Sequence, residues 1–291
     1  MNNNRQFPLT IIIVVGFWGG PVAAQESPVV NKLTDSVYAI FAVFYHSLVV
    51  IGSDGVLITD PANAYRAALV KAEVAKLTDK PVDKIVLSNE DFDHVGGREV
   101  FDGAVIIAQE NVKSVFGFDP LGVAPDVVDV TCTANHEIDL GTTNVQLKHL
   151  GAGDAVATTA VLLPREGIVA TADLYDDGAL TSGEFLDDKN MLGTRAILNE
   201  VAGWELNHAI NTYSTSTDPK ILRDNAKYYN DPYDAVFPVV EKTAKTNPAG
   251  IWDLPASLGV SVKLPAYENW DSYDQLPHHV RRVVLEIIHG G

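Results

Sequence analysis

The segment LSNEDFDHVGG, residues 87–97, places an amide, three carboxylates and an imidazole directly after an apolar run. Side chains of these types, spaced one to three residues apart, are the ligands that proteins offer to divalent cations. The two glycines that close the segment are typical of a sharply turning loop. The segment therefore predicts a metal-binding loop, and the alternative is an ordinary polar turn.

Two further acid-bearing segments follow apolar runs. HLGAGDAVATT, residues 149–159, contains Asp154, and ATADLYDDG, residues 170–178, contains Asp173. In α/β proteins, binding sites gather where the chain leaves the sheet. An aspartate at such a position is also common as a turn or cap residue. The three segments together favour one shared site, which none of them would establish alone.

The apolar patterning predicts which elements hold these loops. A β-rich stretch with a hairpin turn at SDG (53–55) leads to a helix over 62–78 and a buried strand over 84–88. Further strands are predicted at 104–108, 144–151, 160–164 and 168–174. Further helices are predicted near 95–101, at 110–116, around 193–208, from Asp218 onward, and at 277–290, where the helix is amphipathic. Pro232 and Pro238 are expected to interrupt the helix that begins after Asp218. This order predicts an α/β fold of the αββα sandwich type, with two mixed sheets face to face and helices outside.

The first 24 residues have the pattern of a secretory signal peptide. A single basic residue precedes an apolar core from Leu9 to Trp18, and small residues lead to a predicted cleavage after Ala24. The apolar core is shorter than the roughly 20 residues that a membrane span requires, so we expect no stable membrane anchor. An uncleaved N-terminal anchor is the alternative. Residues 25–291 are predicted to form one domain that is periplasmic or secreted.

Charge and cysteine content exclude other classes of protein. The formal net charge is −17, which repels phosphate backbones and argues against nucleic acid as a partner. The single cysteine, Cys132, cannot form an internal disulfide, and no catalytic signature surrounds it. The oligomeric state is left open.

The segment NEDFDHVGG resembles, without a gap, the metal-binding motif of the metallo-β-lactamase superfamily, which reads His-x-His-x-Asp-His before a small residue and two glycines. Supporting matches are SLVVIGSDGVLITD (47–60), GAGDAVATTAVLLP (151–164) and VATADLY (169–175). The resemblance implies the fold of that family and a hydrolase-like activity on a small ester, lactone, thioester or amide. It also implies zinc as the family cofactor.

The resemblance retains only part of the family's ligand set. Asp93 and His94 match the motif, and Asp173 matches the bridging aspartate; Asp93 would be both ligand and catalytic residue. The first metal centre of the family consists of three histidines, and Asn89, Asp91 and Asp154 stand at those positions. Tyr213 is a loose match to the last histidine. Such oxygen-rich donors suit Ca²⁺, Mg²⁺, Mn²⁺ or Fe²⁺ better than zinc.

Two interpretations of the site stay open. In the first, one ion held by Asp93, His94 and Asp173, with help from Asp91 or Asp154, serves a remodelled hydrolase. In the second, the chain is a metal-free binding protein on the same fold, a pseudoenzyme. Crowded carboxylates without a cation raise one another's pKa, which favours an ion, because the sequence offers only Arg98 as a neighbouring cation. Both interpretations take a small molecule as substrate or ligand, and β-lactam hydrolysis is disfavoured because the imidazoles are missing. The stretch PAYENWDSYDQLP (265–277) is interpreted as a loop over the sheet edge, or as part of a substrate pocket.

Overall fold

The computed structural model describes residues 27–186 and 189–290. The predicted signal peptide, residues 1–24, lies outside the described residues, so its cleavage stays a prediction. None of the helices in these ranges combines the length and the apolar character of a membrane span.

The first sheet has seven strands that follow one another in chain order. Strands β1 to β4 pair antiparallel, whereas β4 to β7 pair parallel, so the sheet is mixed. The predicted hairpin turn joins β3 to β4, where Gly52 N donates to Gly55 O at 2.9 Å. The strands are β1 Val29–Lys32, β2 Val37–Ala42, β3 Tyr45–Ile51, β4 Val56–Thr59, β5 Val82–Leu87, β6 Val105–Gln109 and β7 Val130–Cys132.

The second sheet has five strands in the order β12-β11-β10-β9-β8. All its pairs are antiparallel except β11 with β12, which run parallel. The strands are β8 Asn135–Asp139, β9 Asn144–His149, β10 Thr159–Leu163, β11 Ile168–Ala170 and β12 His208–Ile210.

Helices cover the outer face of each sheet. α1 begins after Asn63, whose side chain accepts from Arg66 N, so a polar cap sets its start. The described helices are α1 Ala64–Leu77, α2 Phe92–Val95, α3 Val112–Phe116, α4 Gly183–Leu186, α5 Met191–Ala202, α6 Pro219–Thr246, α7 Leu254–Ser261 and α8 Leu276–His289.

The core has three parts that follow the alternation of side chains along the strands. In β4, Leu57 packs between the two sheets, while Ile58 faces α1 on the outside. In β5, Val86 packs between the sheets and Ile85 outside, as the period of two requires. The third part of the core lies between the second sheet and α5, α6 and α8. The predicted αββα sandwich of two mixed sheets is therefore confirmed.

Several predicted element boundaries are wrong. The helix predicted around 193–208 ends at Ala202, and residue 208 begins the strand β12. α6 runs without a break through Pro232 and Pro238, although each proline removes a helical hydrogen bond. One face of this 28-residue helix is buried against the core, with Leu222 and Val236 fully covered, and that burial outweighs the lost bonds. The strand predicted over 168–174 ends at Ala170, because the next three residues leave the sheet for the site.

The C-terminal region packs closely against helix α6. His279 is buried, with its ring nitrogens 2.8 Å from Tyr228 Oη and 2.9 Å from Thr181 O. Tyr267 and Trp270 of the segment 265–277 pack against the same Tyr228, with edge-on and tilted ring contacts. This segment therefore covers helix α6 rather than a sheet edge.

Candidate metal and substrate site

The candidate site lies at the end of the sandwich where parallel strands of both sheets finish. Asp91 follows β5 and Asp173 follows β11, while Asp154 precedes β10, which runs antiparallel to β11. The three acid-bearing loops therefore arrive at one edge of the fold. Thr159 N donates to Ser88 O at 2.7 Å and joins the two sheets there.

Several residues around the site have left-handed backbone conformations. Asp60, Ala62 and Asp173 have φ of 44°, 69° and 58°. Such conformations cost non-glycine residues about 1–3 kcal/mol each and persist only where the surroundings hold them. Gly97, with φ of 88°, passes so close to α1 that an added Cβ would lie 2.6 Å from the carbonyl of Asn63. The glycine pair of the motif thus lets its loop pack directly on α1.

Glu90 ties two loops of the site together. Its buried carboxylate accepts hydrogen bonds from Val156 N at 2.8 Å and Ala157 N at 2.9 Å. The loop that carries Asp91 is thereby fixed against the loop that carries Asp154. Glu90 therefore acts as a structural residue of this site.

Three carboxylates form the centre of the site. One oxygen from each of Asp91, Asp154 and Asp173 lies within 4.8 Å of the other two. Asp173 is only 8% exposed, and its Oδ1 has no hydrogen-bond partner among the described residues. Asn89 positions two of these acids, since its Nδ2 donates to Asp173 Oδ2 at 2.9 Å and its Oδ1 accepts from Asp91 N at 3.2 Å.

The crowding of these carboxylates affects the ionisation of Asp91. Burial, followed by repulsion from Asp154 and Asp173, raises the pKa of Asp91 to about 8. At neutral pH this carboxyl therefore holds a proton unless a cation replaces it. The site has the electrostatic character of a cation-binding site.

His94 forms a buried ion pair with Asp173. The two side chains are 2% and 8% exposed, and His94 Nε2 lies 2.9 Å from Asp173 Oδ2, close but not aligned as a hydrogen bond. Burial alone would lower the pKa of His94, but Asp173 and Asp60 outweigh it and raise that pKa. Burial would raise the pKa of Asp173, but His94, Tyr213 and Lys189 together lower it. His94 thus stabilises Asp173 as a carboxylate.

Lys189 adds a second buried cation. Its Nζ donates to Asp173 O at 2.5 Å and lies 3.2 Å from Asp154 Oδ1. Burial would lower the pKa of Lys189, but its interactions with Tyr229 and with the carboxylates of Asp154 and Asp176 raise it well above its ordinary value. The ammonium group is therefore a fixed positive charge beside the carboxylates.

Asp93 lies outside the group of three central carboxylates. Its Oδ2 accepts a hydrogen bond from Tyr45 Oη at 2.9 Å, and its side chain is exposed. The Tyr213 ring lies 6.0 Å from the Tyr45 ring, and both side chains border the same cavity. Asp93 and two tyrosines therefore line the outer part of the site.

A cavity of about 690 Å³ opens beside these groups. Its volume lies within the range of small-molecule sites. The lining combines acids and Lys189 with apolar and aromatic side chains: Tyr45, Asp91, Phe92, Asp93, Asp154, Asp173, Asp176, Ala179, Leu180, Thr181, Ser182, Phe185, Lys189, Tyr213 and Ser272. Of the segment 265–277, only Ser272 borders this cavity.

The structure brings together most, but not all, of the residues singled out by the sequence. Asp91, Asp154 and Asp173 share one centre, and Asn89 and His94 both contact Asp173. Asp93 contacts Tyr45 and is absent from the three-carboxylate centre. Arg98, the only cation that the sequence suggested, is exposed and lines a different cavity.

The sequence reasoning missed Lys189. It lies between α4 and α5, far along the chain from the motif, and no spacing rule connects the two. The only signal was indirect, because several acids gathered at one edge of a sheet require a buried partner charge. A search for lysines next to predicted helices would have found Lys189, but it would not have distinguished Lys189 from other lysines of the chain.

Comparisons with known proteins agree with this architecture. A model of the Metallo-beta-lactamase superfamily matches residues 41–121. No curated protein sequence matches the chain.

Among solved structures, a metallo-beta-lactamase from Pontibacter korlensis shares 16% identity at a TM-score of 0.61, covering 70% of this chain and 99% of that one. The metallo-beta-lactamase FIM-1 from Pseudomonas aeruginosa, in its mono-zinc form, shares 17% identity at a TM-score of 0.59, covering 71% of this chain and 96% of that one. A metallo-beta-lactamase from Erythrobacter litoralis shares 15% identity at a TM-score of 0.59, covering 70% of this chain and 97% of that one.

The resemblance inferred from the motif is confirmed by these findings. The family model covers the segment 89–97, and the likeness of fold extends over about 70% of the chain. At identities of 15–17% the solved structures establish the fold.

Proposed function

We propose that this chain, which has the metallo-β-lactamase fold, is an exported hydrolase-like protein that holds one hard divalent cation on Asp91, Asp154 and Asp173. Its substrate is a small ester, lactone, thioester or amide. The observation that carries the proposal is the approach of three carboxylates within 4.8 Å beside a cavity of about 690 Å³. Export is proposed from the pattern of residues 1–24.

The zinc pair implied by the fold family does not fit these residues. Three residues, Asn89, Asp91 and Asp154, stand where the family has the three histidines of its first metal centre. Asn89 donates its amide N–H to Asp173, and Asp91 and Asp154 are carboxylates. At the second centre, His94 Nε2 lies 2.9 Å from Asp173 Oδ2, so a zinc ion on His94 would have to displace this contact. No reaction step is therefore assigned to a zinc pair.

One hard cation fits the carboxylates better. Carboxylate oxygens are the preferred ligands of Mg²⁺, Mn²⁺ and Ca²⁺. Among the residues that the structure describes, none makes a hydrogen bond to the buried Asp173 Oδ1, and the raised pKa of Asp91 means that this group gains from a nearby cation. When bound there, such an ion would polarise a carbonyl oxygen and stabilise the charge that develops on it.

The protein's own groups supply the remaining functions. Asp93 borders the cavity as an exposed carboxylate and is oriented by the hydrogen bond from Tyr45, so it accepts the proton of an attacking water. Phe92 and Phe185 give the cavity an apolar wall that binds the hydrocarbon part of a substrate. His94 holds Asp173 in place.

The test combines metal analysis with turnover. Residues 25–291, purified without chelators or a His-tag and exposed to mixed divalent metals, would be analysed by plasma mass spectrometry. We expect about one equivalent of ion, which Asp91→Asn should lose and Asp93→Asn should keep. In an ester and lactone panel with that ion, Asp93→Asn should lose most of the turnover. The exposed Asp126→Asn is the matched control for one lost charge.

Two results would overturn the proposal. The first is substoichiometric metal that Asp91→Asn does not change. The second is turnover that survives in Asp93→Asn.

A second candidate function is a metal-free small-molecule binding protein. The specific observation that favours it is the presence of two buried cations, His94 and Lys189, that already contact Asp173 and Asp154. This candidate predicts no stoichiometric metal and no turnover, together with a ligand that raises the Tm. The same metal analysis therefore separates the two functions.

A further inference from the structure

Backbone hydrogen bonds of the residues that follow Lys189 fix the position of Lys189 in the fold. Asn190 N donates to Gly153 O at 2.9 Å, one residue before Asp154. At the start of α5, Glu286 of α8 accepts from Met191 N at 3.0 Å and from Leu192 N at 2.8 Å. The backbone on the C-terminal side of Lys189 is therefore fixed both to the Asp154 loop and to the closing helix.

The ammonium of Lys189 lies where a cation on Asp154 would compete with it. The side chain is 3% exposed, with Nζ 3.2 Å from Asp154 Oδ1 and 2.5 Å from the backbone oxygen of Asp173. Asp154 and Asp173 are two of the three carboxylates that approach one another. A buried ammonium at this distance lowers the affinity of the same oxygens for a metal ion, because like charges repel strongly where water is excluded.

We propose that Lys189 is a built-in cation of the site. It supplies positive charge to Asp154 and Asp173 and limits the three carboxylates to at most one divalent ion. The upper limit of one ion rests on the proposed function, whereas the competition between Lys189 and a metal does not. Lys189 therefore acts on cation binding through Asp154 and is a positioning and specificity residue, since it is not assigned to contact the substrate.

The experiment is a titration of the metal-stripped chain, residues 25–291, with Mn²⁺ by isothermal calorimetry. We expect the wild type to bind at most one equivalent. Lys189→Met, which keeps the stem and removes the charge, should bind Mn²⁺ at least tenfold more tightly or take up one more equivalent. Lys80→Met is the matched control: the Lys80 ammonium binds Gly52 O and Ser53 O in the β3–β4 turn, so its loss should leave the Kd unchanged.

A second variant and a second readout guard against poor folding. Lys189→Gln keeps a hydrogen-bond donor without the charge and should show the same direction of change. The rise in Tm on adding Mn²⁺ should also be larger for either variant than for the wild type, because the ion replaces a lost buried charge.

The outcomes separate this inference from the proposed function. Tighter binding in both variants supports it, and if the wild type then binds no ion at all, the inference holds while the proposed metal-dependent function fails. An unchanged or weaker affinity in the folded variants, with one equivalent in the wild type, overturns the role of Lys189 and leaves the proposed function standing. Two equivalents in the wild type, or no binding by any form, overturn the inference.

Discussion

Replacing Asp91 by asparagine should stabilise the metal-free protein. In the folded chain the pKa of Asp91 rises from 3.8 to about 8, because the carboxyl is buried and faces Asp154 and Asp173. Between these two pH values the folded state binds more protons than the unfolded state, so stability falls as pH rises from about 4 to about 8. At pH 7 the shift corresponds to at most about 4 kcal/mol, at 1.36 kcal/mol per pKa unit.

Asparagine has no proton to lose and avoids this cost. After allowance for relaxation around the site, we expect Asp91→Asn to raise the free energy of unfolding by about 2 kcal/mol at pH 7 in EDTA, and the Tm by roughly 4–8 °C. The assay is urea denaturation and thermal melting of residues 25–291 at pH 5, 7 and 8. The gain should grow with pH over this range.

Two controls accompany this prediction: a variant that loses a distant surface charge, and the addition of a metal ion. Asp79→Asn removes one exposed carboxylate far from the site and should change the Tm by less than 1 °C or so, since such surface changes are worth within about 0.5 kcal/mol. Adding Mn²⁺ should stabilise the wild type and not Asp91→Asn. A variant that is equally or less stable than the wild type in EDTA, with the same pH dependence, would refute the argument from crowded carboxylates.

Three other changes test the architecture around the site. Glu90→Gln removes a charge that accepts two backbone N–H groups of the Asp154 loop, so it should cost about 1–3 kcal/mol in urea denaturation and weaken Mn²⁺ binding in calorimetry; unchanged values would contradict its structural role. His94→Ala leaves the buried Asp173 carboxylate without its imidazole partner and should cost about 3–5 kcal/mol by the same denaturation assay, whereas a loss below 1 kcal/mol or so would contradict the ion pair. Gly193→Ala would place a Cβ 1.9 Å from Ala152 O, so we expect a lower Tm, and an unchanged Tm would show that α5 is free to shift.

The layers of the fold were predictable because buried strands and helices have a periodic pattern of apolar residues in the sequence. Leu57 and Ile58 alternate between inner and outer core, and the cap at Asn63 marks the start of α1. The predicted break in α6 was wrong because local propensity does not register how much surface the helix buries. The three-residue strand β12 carried no periodic signal, since it is too short to show one.

The site was predictable in its location but not in its contacts. The motif and the strand exits indicated that Asp91, Asp154 and Asp173 would meet, because the ends of the strands are fixed by topology. The orientation of Asn89 toward Asp173, and of Asp93 toward Tyr45, depends on side-chain packing that has no counterpart in residue spacing. Lys189 enters from another segment, so only the assembled structure identifies it.

The most direct test of the account is the position of a bound ion in crystals grown with Mn²⁺. Anomalous scattering should give one peak at about 2.0–2.6 Å from an oxygen of each of Asp91, Asp154 and Asp173. Lys189 should remain within contact of Asp154 in the same crystals. A peak ligated by Asp93 and His94, two separate peaks, or no peak at saturating Mn²⁺ would contradict the assignment of a single ion to these three carboxylates.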